Sequence, residues 1–193
     1  MSLSVVTPAA TELLSSSDAV LRQHLRLEAD ETDQDSVIDA YCAAARDKAE
    51  RYIRRRLITQ TLRLTCDGFP CGGFHLGVGP VQSIEEVAYR DDDEVWQTVA
   101  SSVYRLIDSV SPAEIGLRYG QVWPVASSDR ANVRAEVVVG YGVSASDVPA
   151  AIVQAVRLLV AHMFHEREPV TKDGGRELPL AVRDLLDPYR VFV

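Results

Sequence analysis

The sequence predicts an α+β chain, with helices first and last and strands between them. Two observations carry this. Apolar residues recur at three- and four-residue steps up to about Leu57 and again after Gly142, but at two-residue steps from about Gln60 to Gly142. The middle stretch is also punctuated by Gly68-Phe69-Pro70, Gly72-Gly73, Gly77-Val78-Gly79-Pro80 and Trp123-Pro124, as turns between short strands require.

The first helix is short. Ser17 or Asp18 is placed to cap it, and Ala19, Val20, Leu21 and Leu25 form its apolar stripe. The second runs from about Thr32 to Leu57 through Val37, Ile38, Tyr41, Ala45, Ala49, Tyr52, Ile53 and Leu57. Asp30, Glu31, Asp33, Asp35 and Asp39 lead it, and Arg46, Lys48, Arg51, Arg54, Arg55 and Arg56 follow, an order the helix dipole favours at both ends.

In the middle, Thr61–Cys66 alternates and reads as a strand. Ser83–Arg90 and Glu94–Val99 flank Asp91-Asp92-Asp93 and read as a hairpin. Tyr104–Asp108 and Val133–Val139 are further strands. Together they predict one antiparallel sheet or small barrel of about five or six strands.

The third helix has Asp147 as its cap and Pro149 in its first turn, and extends to about Arg167. Its polar stripe is narrow: Gln154, Arg157, Ala161, His165 and Glu168. Ile152, Val153, Val156, Leu158, Leu159, Val160, Met163 and Phe164 occupy the rest. Such a helix must be covered on most sides, by its own chain or by a neighbouring subunit. Residues 169–177 read as a charged loop and Leu178–Leu186 as a last helix. Beyond Pro188 the chain ends on Val191, Phe192 and Val193, a tail that either folds back or docks on a partner.

Composition narrows the function classes. With 193 residues, 47% hydrophobic and 25% charged, the chain suits one packed domain, or one with an inserted lobe. The apolar stretch Val148–Phe164 is interrupted by Gln154, Arg157 and His162 and is too short for a membrane span. No basic residue precedes the first apolar ones, so no secretory signal is expected and the protein is expected in a cytoplasm. Cys42, Cys66 and Cys71 are expected as free thiols. A formal net charge of −8 argues against coating a phosphate backbone.

No cluster of residues reads as an active site. His162, His165 and Glu166 lack metalloprotease spacing, and His162 sits on a mostly apolar helix. The glycines from Gly72 to Gly79 are not followed by Lys-Ser or Lys-Thr, so they form no phosphate loop. Glu85, Glu86 and Asp91–Glu94 read as a solvated hairpin tip rather than a Mg²⁺ site. Arg51, Arg54, Arg55 and Arg56 are the best nucleic-acid candidates, although a helix C-terminus favours cations in any case. No catalytic residue, metal ligand or cofactor is expected, and the chain does not read as an enzyme.

Several segments in order resemble tailed-phage head–tail connector (adaptor) proteins, of the kind found in long-tailed phages, prophages and gene transfer agents. They are Leu57-Ile58-Thr59-Gln60-Thr61-Leu62-Arg63-Leu64, Gly79-Pro80-Val81-Gln82-Ser83-Ile84, Val139-Gly140-Tyr141-Gly142 with Val148-Pro149-Ala150-Ala151-Ile152, Leu158-Leu159-Val160-Ala161-His162, and Leu178-Pro179 with Pro188-Tyr189-Arg190. The resemblance implies a helical core of about four helices with an antiparallel β lobe inserted between the second and third. The parts would be N-terminal helices over 17–58, the β lobe over 59–145, C-terminal helices over 146–190 and a docking tail over 187–193.

The function it implies is a ring of copies, typically a dodecamer in the family. That ring sits beneath the portal protein in the particle neck, extends the DNA channel and carries the stopper or tail proteins. DNA would pass without sequence-specific binding. The portal contact would fall on Pro188, Tyr189, Arg190, Val191, Phe192 and Val193. Ile152, Val156, Leu159, Val160 and Met163, with Arg51, Arg55 and the small residues Ala43-Ala44-Ala45, are the expected ring interface, and the acidic balance suits a channel lining. The alternative reading is a DNA-interacting packaging accessory that uses the Arg51–Arg56 cluster.

Overall fold

The structure is a computed structural model that describes residues 2–28, 30–166 and 178–192. These residues form helices α1 (Ala19–Leu25), α2 (Asp35–Ile53), α3 (Ala150–His165) and α4 (Leu180–Leu186). The strands are β1 (Ser2–Thr7), β2 (Gln60–Cys66), β3 (Phe74–His75), β4 (Val81–Arg90), β5 (Trp96–Thr98), β6 (Tyr104–Ile107), β7 (Glu114–Leu117) and β8 (Val133–Val139), and short 3-10 turns cover Ala145–Asp147 and Asp187–Tyr189. The chain divides into two compact units. The helical unit is Thr11–Ile58 with Gly142–Arg190, and the β unit is Thr59–Tyr141 with the first ten residues and the end from Val191.

In the helical unit, the Asp18 carboxylate accepts the Leu21 N–H at 2.7 Å and starts α1. α2 stops at Arg54, whose backbone turns left-handed at φ 55, short of the Leu57 end that periodicity suggests. Glu50 is the cause. Its carbonyl accepts the N–H groups of Arg54 and Arg55, while its buried carboxylate accepts the Leu57 N–H at 2.8 Å and pairs with Arg56 at 2.8 Å. The helix is thus closed and the exit chain fastened by one residue. Ile38, Cys42, Ala45, Ala49 and Ile53 form the buried stripe of α2. Burial, with Asp39, Glu12 and Asp18 nearby, pushes the Cys42 thiol up to about 12.

Helix α3 begins at Ala150, with Pro149 at its N-cap. Asp147 instead accepts the Ser144 N–H at 3.0 Å in the turn before it. Gly142 is needed here, because a Cβ would lie 2.3 Å from the Asp147 side chain. α1, α2 and α4 pack on α3 and bury eight of its residues, including Ile152, Val156, Leu159 and Val160. Burying a side chain of this size stabilises the fold by roughly 1.5–3 kcal/mol.

The β unit holds two antiparallel sheets instead of the expected one: five strands in the order β1-β2-β8-β4-β5 and three in the order β3-β7-β6. β8 is the central strand. Val133, Ala135, Val137 and Val139 face a core with Leu62, Leu64, Phe74, Leu76 and Ile115. The alternate residues form ion pairs between strands, Arg63–Glu136 at 2.6 Å and Arg134–Glu86 at 3.0 Å. Strands β1, β3 and β7 were not legible in the sequence. β3 has two residues, β7 contains Gly116, and β1 has no buried side to mark a period.

Candidate assembly surfaces

The chain end is held by α2. The Tyr52 hydroxyl donates to Asp187 at 2.5 Å, Arg55 Nε donates to the Tyr189 carbonyl at 2.6 Å, and the Arg190 guanidinium lies 5.0 Å from the Tyr52 ring. The bond to the Asp187 carboxylate, first among the causes, raises the Tyr52 phenol above its ordinary value. Within the expected portal-binding tail, Pro188 and Arg190 are exposed and Tyr189 is half-buried. Val191 is buried, Phe192 is 73% exposed, and Val193 lies outside the described residues.

The arginine cluster separates into different jobs. Arg55 fastens the chain end and Arg56 neutralises buried Glu50. Arg51 is exposed and pairs with Asp47 at 3.0 Å, and exposed Arg54 forms the end of α2. A contiguous basic stripe for DNA is not what this arrangement offers. Ala45 is buried, whereas Ala44 is exposed.

The expectation that the apolar stripe of α3 faces a neighbouring copy is corrected. Ile152, Val156, Leu159 and Val160 are buried within the helical unit, because three other helices cover them; Met163 is half-buried. On the outer side of α3, His162 is exposed and pairs with Glu166 at 3.5 Å, while Ala161, expected on the polar stripe, is buried.

Other expected features resolve into local chemistry. Asp91 accepts from Gln97 Nε2 at 2.8 Å and from the Val95 and Asp93 N–H groups, and these bonds lower its carboxyl below the ordinary value. It therefore folds the hairpin. Cys42, Cys66 and Cys71 are free, the first two buried and the third exposed. Among the described residues, no three His, Cys, Asp or Glu side chains converge as metal ligands, and no helix is long and apolar enough to cross a membrane.

Three features were missed in the sequence. A cavity of about 660 Å³ beside α1 is lined in part by Arg22, whose guanidinium bonds Asp35 and the carbonyls of Ser16, Glu28 and Glu31. That arginine clips the loop between α1 and α2. The second feature is the loop after β7. Trp123 stacks on Phe69 at 4.8 Å and meets Phe74 edge-on at 5.6 Å, which anchors the loop in the β core. Its other residues Tyr119, Val122 and Val125 are exposed at 105%, 78% and 86%. The third is β1, all six of whose residues are exposed. An apolar residue followed two positions later by another marks both segments, but neither repeats long enough to give a period.

These surfaces sit on a known architecture. A sequence model of the phage gp6-like head–tail connector proteins matches residues 19–111. The likeness in fold extends over the whole chain. A protein in the neck of an empty gene transfer agent (GTA) particle computed with C6 symmetry matches with a TM-score of 0.83 and 25% identity, over 100% of this chain and 97% of that one. A protein of the virion of a native gene transfer agent particle matches at 0.80 and 27%, with the same coverage. One in the neck of a native GTA particle computed with C12 symmetry matches at 0.76 and 26%, again over 100% and 97%. No curated protein matches the chain. The connector match spans α1, α2 and strands β2 to β6, so it includes Glu50 and Tyr52 but not β1, Trp123 or the chain end.

Proposed function

We propose that the chain is a structural subunit of the neck of a tailed-phage-like particle, present as a ring of copies at the head–tail junction. The supporting observation is the end-to-end likeness to gene transfer agent particle proteins at 25–27% identity, two of them from the neck, together with the connector match. In the finer reading, the ring lies beneath the portal protein, extends the DNA channel and carries the stopper or tail proteins. Subunits would be made in the host cytoplasm and end in the particle neck. A net charge of −8 favours passage of DNA without adhesion to the ring.

In this reading the portal contact falls on the chain end. Within it, Phe192 is 73% exposed and offers the apolar surface. The test is co-expression with the portal protein of the same particle, followed by electron microscopy of the purified complex. A ring of this chain on the portal is expected. Phe192→Ala is expected to weaken attachment while sparing the fold. A wild-type chain that ignores the portal contradicts the proposed function, and full attachment of Phe192→Ala contradicts the role of the tail.

A further inference from the structure

We propose that β1 is a contact between copies, seating against the opposite side of the five-stranded sheet of a second copy. This rests on the ring reading above. The argument begins with the strand itself. Among the described residues β1 pairs with β2 alone, and none of its six residues is buried. Leu3, Val5 and Val6 stay 46%, 51% and 40% exposed, so their own fold leaves much of their apolar surface open to a partner. Edge strands that stay bare in solution are ordinarily guarded by charge or proline. Ser-Leu-Ser-Val-Val-Thr has neither, which marks it as a strand that another surface covers.

Symmetry selects the occupant. A closed ring joins two different surfaces of one chain, head to tail. The five-stranded sheet is antiparallel at each of its four pairings, so its edge strands β1 and β5 run in the same direction. Rotation about an axis along the strands preserves that direction, so one copy's β1 can follow the previous copy's β5. The far side also carries its own apolar surface. The loop with Tyr119, Val122 and Val125 is tied to β4, the neighbour of β5, by the Ser127 N–H to the Arg90 carbonyl at 2.9 Å.

Charge points the same way. Identical copies at −8 repel one another, so their contacts belong where charge is absent. Residues 2–11 and 119–128 contain no charged side chain, although a quarter of the chain is charged.

The test uses two full-length variants, Val5→Asp and Val122→Asp, with Val5→Lys as a second change that keeps the strand extended. Both positions are exposed, so circular dichroism and the thermal midpoint should match wild type. Native mass spectrometry and electron microscopy then read assembly, alone and with the portal. Each variant should lose ring closure, and an equal mixture of Val5→Asp with Val122→Asp should give one-to-one dimers, each supplying its intact surface. Ring formation by either variant at the wild-type level overturns the proposal. Loss by Val5→Asp alone, with Val122→Asp normal, overturns the pairing of these two surfaces. A wild type that closes rings yet never joins the portal contradicts the proposed function and leaves the β1 contact standing. Absence of wild-type self-association in both settings overturns both.

Discussion

Helix α3 and strand β1 are both apolar in sequence, and the chain disposes of them in opposite ways. Ile152, Val156, Leu159 and Val160 vanish beneath α1, α2 and α4, whereas Leu3, Val5 and Val6 remain in solvent. The α3 stripe lasts more than four turns and needs several covering elements, which a four-helix unit supplies from within. β1 lies at the edge of its sheet, and each of its six residues is exposed. Apolar pattern therefore says that a surface wants cover; only the packing says whose.

The sharpest way to test the self-covered side is Glu50→Ala. It removes the acceptor for the Leu57 N–H and leaves Arg56 without its buried partner, so a loss of about 3–5 kcal/mol is expected from urea unfolding. Leu159→Ala should follow, at about 2–5 kcal/mol, by leaving a cavity among the four helices. Asp18→Ala removes the α1 cap, for about 1 kcal/mol. Val5→Ser on β1 should change stability by no more than about 0.5 kcal/mol. A large loss there would mean that β1 is covered within its own chain and would erase the contrast.

Thiol chemistry gives the subtlest reading of what is covered. The Cys42 thiol, pushed up to about 12, stays protonated at pH 8 and should resist alkylation until the protein unfolds. Exposed Cys71 should react in the native protein. Mass spectrometry after iodoacetamide treatment distinguishes them, and early labelling of Cys42 would show that the helical unit opens locally.

The same contrast explains what the sequence discloses. Helices α1 to α4 and strands β2, β4, β5, β6 and β8 were legible because each pairs a clear period with a local stop signal, as Asp18 and the Asp91 turn illustrate. The apolar period carries α2 past its real end at Ile53. Leu57 continues the apolar spacing, and only the three-dimensional return of the Glu50 side chain shows that the helix has closed. Arg55 and Arg56 looked like a basic patch because sequence displays charge but not its partners, Tyr189 and Glu50. The anchor of the 119–125 loop joins Phe69, Phe74 and Trp123 from distant segments, a contact that no local window contains. The family segments, by contrast, were visible as short strings in a fixed order, and the connector match over residues 19–111 covers the first two of them.

The most direct measurement is a reconstruction by electron cryomicroscopy of the intact particle that carries this chain. The account predicts density for it as a closed ring of copies between portal and tail, with Phe192 toward the portal and β1 against the adjoining copy. Density for the chain elsewhere in the particle, or a neck built without it, would contradict the account.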